Sequence, residues 1–188
     1  KALVCIFSDE FLARNLAFRG GTALHKLYLQ PQARYSEDID LVQINPGPIK
    51  PIMFRLGEVL AWMPDKVTKQ KRYNNTMLFR MESDVPPVQP IRLKVEINCF
   101  EHFNVLGLQK VPFAVDNPWF QGKCEFNFDI GPLVTLSKPF EYYGRNVNGV
   151  DVNAAGAVAE ACRLAAKQGV DFSKYDDDGD GTVDNVFV

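Results

Sequence analysis

The 188-residue sequence has no CxxC pair, no apolar run long enough to span a bilayer, and only two histidines. Its four cysteines (Cys5, Cys99, Cys124, Cys162) are scattered, so no zinc knuckle or disulfide framework is implied and they read as buried thiols. Without a 20-residue apolar stretch there is no candidate transmembrane helix, and no membrane partner is expected. The chain opens directly in KALVCIF, so a signal peptide was either never present or has been removed. Neither His25 nor His102 has a histidine four residues on, so the HExxH pattern of zinc proteases is missing. His25 reads as a surface or packing residue.

What is present is an ordinary globular composition, 46% hydrophobic and 23% charged. The length allows one good core or two small ones. The formal charge of -2 hides an asymmetry. Residues 1–125 carry 16 Lys and Arg against 13 Asp and Glu, whereas residues 126–188 carry 5 against 10. That break raises the question of whether the chain is one unit.

In the N-terminal part, residues 1–15 have helical apolar spacing at Leu3, Ile6, Phe7, Phe11 and Leu12. LAF reads as a short strand, Gly20-Gly21 as a break, and Thr22 as the start of a second helical segment. An acidic strand follows, then an amphipathic helix over PIMFRLGEVLAWM that ends before Pro64. KVTKQKRY and TMLFRMES flank Asn74-Asn75 and predict a hairpin there. IRLKVEINCF alternates, with Ile91, Leu93, Val95 and Ile97 on one face and Arg92, Lys94, Glu96 and Asn98 on the other. The order predicts an α+β fold.

The acidic strand carries the chemistry. In RYSEDIDLV, Asp38 and Asp40 lie two apart and share a face, about 6.5–7 Å between Cα atoms, while Ile39 and Leu41 enter a core. Aspartate is a poor strand former and paired carboxylates repel, unless cations lie between them. Two Mg²⁺ ions would remove the repulsion, and Glu96 on a neighbouring strand is a candidate third ligand. Three carboxylates around two metals can clamp a nucleoside triphosphate for in-line displacement. Gly20 and Gly21 at a helix start offer backbone N–H groups to phosphate, with Thr22 a hydroxyl and Lys26 or Arg34 a positive charge. Each feature also has an ordinary structural explanation: a turn, an acidic loop, or the solvated face on which Glu96 lies beside Lys94. Glu37 reads as an exposed neighbour.

FRGGTALHKLYLQPQARYSEDIDLV closely resembles the signature of the AbiEii-type nucleotidyltransferase toxins, GGTAL followed by R-[FY]-S-x-D-I-D-L. LKVEIN and VPFAVDNPWFQGKCE resemble that family's next strands, so the likeness covers about residues 1–125. It implies a DNA-polymerase-β-like nucleotidyltransferase core with a mixed sheet and flanking helices. It further implies transfer of a nucleotide from an NTP with Mg²⁺ (or Mn²⁺), RNA such as the tRNA acceptor end as target, a cognate antitoxin, and a cytoplasmic setting. Gly20, Gly21 and Thr22 would hold the triphosphate and Asp38, Asp40 and Glu96 the metals. Lys66, Lys69, Lys71 and Arg72 could meet an RNA backbone. The helical half that follows in this family does not follow here.

From Phe126 the text changes. An aromatic strand-like stretch leads to an Ala-rich helix closed by Gly169. DFSKYDDDGDGTVDNVFV then sets Asp176, Asp178 and Asp180 at positions 1, 3 and 5 of a calcium-type loop, with Gly181 at 6, Thr182 at 7 and Asp184 at 9. Position 12 is Phe187 where a glutamate is usual, so the loop is not a complete EF-hand. GPLVTLSKPFEYYGRN and the Asp-rich stretch resemble secreted zinc metalloproteases similar to immune inhibitor A, which would assign Ca²⁺ to Asp176, Asp178, Asp180 and Asp184. That family's zinc motif is absent, and no proteolysis follows. Three readings stand at this point: an intact or truncated nucleotidyltransferase, a non-catalytic calcium-binding fragment, and a chimeric chain without activity.

Overall fold

The structure, a computed structural model, describes residues 1–28, 38–70, 74–83, 86–100, 102, 107–128, 134–176 and 179–183. The chain divides into two compact units, Lys1–Asp129 and Ile130–Val188.

The first unit is built on a seven-stranded mixed sheet of order β3-β4-β5-β2-β1-β7-β6. Its strands are β1 (Leu16–Arg19), β2 (Asp38–Gln43), β3 (Asp65–Gln70), β4 (Asn74–Glu82), β5 (Pro90–Asn98), β6 (Gln109–Asn117) and β7 (Phe120–Phe128). β2 pairs parallel with β5 and antiparallel with β1, and β1 pairs parallel with β7. Alternation gives one face its apolar content. Ile39, Val95 and Met77 form one buried cross-strand row, and Phe18, Phe126 and Phe128 are buried towards the β7 side. Phe7 and Phe18 pack their rings on Phe126, both at 5.3 Å between centroids, within the range of favourable aromatic pairs.

The helices of this unit are α1 (Ala2–Ser8), α2 (Glu10–Asn15), α3 (Gly20–Tyr28) and α4 (Lys50–Val59). The single helix expected over residues 1–15 is two. Asp9 adopts an extended backbone between them, and its carboxylate accepts the Leu12 N–H at 3.0 Å as the N-cap of α2. The other carboxylate oxygen accepts a hydrogen bond from Arg55 Nε of α4 at 2.8 Å and forms an ion pair with its Nη2 at 2.7 Å. Partial burial would raise the Asp9 carboxyl, but the bonds from Arg55 and Leu12 outweigh it and hold its pKa below the usual carboxylate range.

Three further expectations change. Asn74 and Asn75 open β4 instead of forming the turn, and residues 71–73, Lys71 and Arg72 among them, lie outside the described residues. α4 stops at Val59, and buried Leu60 and Met63 lie in the turns beyond it. The division between units falls after residue 129, later than the 125 read from composition. Phe126 and Phe128 belong to β7 because their alternate positions fill the first unit's core.

The second unit contains α5 (Phe140–Tyr143), a β8–β9 hairpin (Asn146–Val147, Val150–Asp151), α6 (Ala154–Lys167) and a 3-10 turn (Phe172–Tyr175). Asn148 and Gly149 both have positive φ, the turn that suits a two-residue hairpin. Glu160 of α6 accepts from the Ser137 N–H at 2.8 Å and from the Tyr143 hydroxyl. Among the described residues no helix is long and apolar enough to cross a membrane.

Candidate active site on the β1–β2–β5 face

Strand register brings the acidic residues together. Asp38 lies opposite Lys94 and Asp40 opposite Glu96 across the parallel β2–β5 pair, while Arg19 of β1 lies opposite Asp40 on the other side. Ile39 and Leu41, which alternate with the aspartates, are buried. Burial pushes the Asp40 carboxyl above its usual range. Asp38 adds to that, Lys94 opposes it, Glu96 adds again, and Arg19 opposes. Lys94 Nζ lies 2.6 Å from Glu96 Oε2, and that bond, working against partial desolvation, raises the lysine.

Gly20 joins the helix start to this cluster. It has φ +81°, a conformation costly for any residue with a side chain, and a Cβ there would sit 2.9 Å from Asp40 Oδ2. Gly21 has open space where a Cβ would be, and it is exposed. The helix therefore begins at Gly20, two residues before the Thr22 start read from the sequence. Thr22 is only 5% exposed. His25 is buried, in keeping with a packing role, and its Nε2 finds no hydrogen-bond partner among the described residues.

Beside Asp38 opens a cavity of about 520 Å³, bounded by Lys26 and Leu27 of α3, Ile39, Leu93 and Phe113. Its volume lies within the range of small-ligand sites. Burial lowers the Lys26 ammonium. The structure thus gathers Gly20, Gly21, Asp38, Asp40 and Glu96 on adjoining elements and sets Lys26 with Asp38 on one cavity. Arg34 and Glu37 lie outside the described residues. Arg19 is the residue that sequence reasoning missed; its place directly before Gly20, at the end of a short strand, was the available signal.

The donors suit a hard divalent cation: carboxylate oxygens on adjacent strands, mutually repelling, with an ammonium already drawn to one of them. Among the described residues no group of three or more His, Cys, Asp or Glu side chains converges to hold a metal ion, so Asp38, Asp40 and Glu96 do not form a ready-made three-carboxylate site. Mg²⁺ ordinarily takes only one or two carboxylates and completes its shell with water and phosphate.

In the second unit, Asp176 and Asp180 of the proposed calcium loop accept backbone N–H groups of the loop itself. Asp176 takes those of Asp180 and Gly181 at 3.1 and 2.9 Å, and Asp180 that of Thr182 at 2.7 Å. Asp178 and Asp184 lie outside the described residues.

A mixed sheet whose second strand presents two same-face aspartates, with a Gly-Gly helix start packed on one of them, defines a nucleotidyltransferase-type α+β core. The chain belongs to the family described as nucleotidyl transferase AbiEii toxins of type IV toxin–antitoxin systems, whose family model matches residues 1–129. Among solved structures it is similar to an H. pylori protein described as a nucleotidyltransferase, at 22% identity and TM-score 0.40, over 58% of this chain and 46% of that one. It is also similar to JHP933 from Helicobacter pylori, at 22% identity and TM-score 0.39, over 57% and 44%. The chain thus spans less than half the length of the solved proteins it matches. No curated protein matches it. The family match ends at residue 129, and no finding supports the resemblance of the later residues to secreted metalloproteases.

Proposed function

We propose that the first unit is a metal-dependent nucleotidyltransferase core that transfers a nucleotide from an NTP to an acceptor such as tRNA, in the cytoplasm, as the toxin of a pair with a cognate antitoxin. The observation that carries this reading is the register Arg19–Asp40–Glu96 with Asp38 one same-face step away. Asp38, Asp40 and Glu96 would hold Mg²⁺ (or Mn²⁺), which when bound neutralises the triphosphate and the charge that builds on its reacting oxygens. The Gly20 and Gly21 amides at the start of α3 receive phosphate oxygens, and the positive end of the helix favours them. Lys26, kept less basic than usual by burial, balances phosphate charge from the cavity wall. As the acceptor oxygen bonds the nucleotide's phosphorus and the bond to the departing diphosphate breaks, Glu96, beside Asp40 in the register, would take the hydroxyl proton.

The test is Mg²⁺-dependent NTP binding by titration calorimetry. Asp40→Asn and Asp38→Asn are expected to abolish it, and unchanged binding in both would overturn the reading.

For the second unit we propose Ca²⁺ binding by Asp176, Asp178, Asp180, Thr182 and Asp184. The Asp176 carboxylate accepts the Asp180 and Gly181 N–H groups, and Gly179 and Gly181 have positive φ, which favours it. A melting temperature indifferent to Ca²⁺ and to chelator would remove it.

A further inference from the structure

We propose that Lys94 is a positioning residue of the site: its ammonium holds Glu96 apart from the two aspartates, so the third carboxylate joins a metal ion only when Lys94 lets go. This rests on the nucleotidyltransferase reading and assigns that site a latch.

The register places the latch. Across the parallel β2–β5 pair Asp38 lies opposite Lys94 and Asp40 opposite Glu96, so the four side chains leave one sheet face at the corners of a rectangle. Its sides are about 4.8 Å between strands and about 6.5–7 Å along each strand. Arg19 borders it beyond Asp40. Three corners are acidic and the fourth is an ammonium, so Lys94 is a cation that the strands themselves supply to the cluster. It closes on its neighbour along β5, with Nζ 2.6 Å from Glu96 Oε2. Glu96, Asp38 and Asp40 all attract that ammonium. The bond to Glu96 accounts for a contrast at the site: three carboxylates stand on one face, yet among the described residues no three converge to hold a metal ion.

The pair is weak enough to open. The Lys94 and Glu96 side chains are 40% and 30% exposed, so water reaches both partners and salt screens them. The lysine stem is flexible, and its end can swing into solvent. A divalent cation carries a larger charge than an ammonium and approaches carboxylate oxygen more closely, at about 2.0–2.1 Å for Mg²⁺. It competes for Glu96, but against Lys94. An ion carried by a triphosphate adds the phosphate contacts at Gly20 and Gly21 to that competition. Lys94 thus ties recruitment of the third carboxylate to metal and nucleotide together, and discourages it for the metal alone.

The experiment is Mn²⁺ binding without nucleotide, followed on the full chain by electron paramagnetic resonance of the free ion. Only binding that Asp40→Asn removes is counted, which sets aside the Asp176 loop. Lys94→Gln is expected to tighten it about fivefold, the order expected when one half-exposed charge competitor is removed. Lys94→Arg, which keeps charge and reach, should match wild type. In a Glu96→Gln background the gain from Lys94→Gln should fall below about twofold, because the residue it acts through is gone. The melting temperature of Lys94→Gln should lie below that of wild type in chelator and rise further on adding Mn²⁺. Unchanged Mn²⁺ affinity in Lys94→Gln, or no Asp40-dependent Mn²⁺ binding in wild type and variant alike, would overturn the latch. So would an equal gain with and without Glu96, which would make Lys94 a diffuse positive field on the site. Each of these leaves the catalytic reading intact where wild type binds Mg²⁺–NTP through Asp38 and Asp40. A wild type without such Mg²⁺-dependent NTP binding overturns the catalytic reading itself, whatever the Mn²⁺ result.

Discussion

The first unit has a core of large side chains, with Phe18, Phe79, Phe126 and Phe128 all at or below 1% exposure, although Phe54 and Trp119 on its surface are 70% and 83% exposed. In the second, Phe140 is 79% exposed, Tyr142 53% and Val150 66%, and among its described residues only Tyr143 and Ala161 are buried apolar positions. The sequence is nearly as apolar in both, so composition does not explain the difference. Strand count does. The central strands of a seven-stranded sheet bury their alternate residues under helices, whereas a hairpin of two-residue strands has no such face. A unit held this way relies on local bonds such as those converging on Glu160.

The largest expected effect separates the units outright. Residues 1–129 expressed alone should unfold in one cooperative thermal transition, and residues 130–188 alone should show none, as followed by circular dichroism. Next, Phe18→Ala should destabilise the first unit by about 3–5 kcal/mol in denaturant titration of the full chain, while Phe140→Ala should leave that same transition unmoved. Gly20→Ala tests whether the first unit's turn is coupled to its site. It should cost about 1–2 kcal/mol from the left-handed backbone alone, and should weaken Mg²⁺–NTP binding because the added methyl meets Asp40. A stable Gly20→Ala variant with full NTP affinity would sever the two.

The smallest effect concerns Asp9. Asp9→Asn should cost about 0.5–1 kcal/mol at neutral pH, chiefly from the lost charge partner of half-exposed Arg55, since asparagine caps a helix about as well as aspartate. Because the folded Asp9 carboxyl is lowered, its contribution is fully present above the ordinary carboxylate range, near 4, and is lost as pH falls from there through the lowered value. Melting curves of wild type and variant should therefore converge on acidification. Parallel curves down to pH 2 would remove Asp9 from the account.

The sequence made legible whatever repeats locally. β5 was readable because its alternation runs unbroken through Ile97, and the Asp38–Asp40 pair because a period of two puts both on one side. The break at Asp9 was not, since the apolar spacing of a helix continues across it and only the capping bond reveals the stop. The contact between Gly20 and Asp40 joins residues twenty apart through strand pairing, which no window displays. The same holds for Lys66 and Lys69. A run of basic residues looks like one patch until a strand sends its members to opposite faces.

The place of β1 sets a schedule for folding. Its Phe18 pairs with Leu41 on one side, but on the other with Phe128, made 110 residues later. At roughly 5–20 residues per second, a nascent chain waits about 5 to 20 seconds with that edge open before β7 arrives to close it. Pairings so distant in sequence also slow folding after release. During synthesis, the exposed flank of β1 is therefore where a chaperone would act and where a stalled chain would aggregate first.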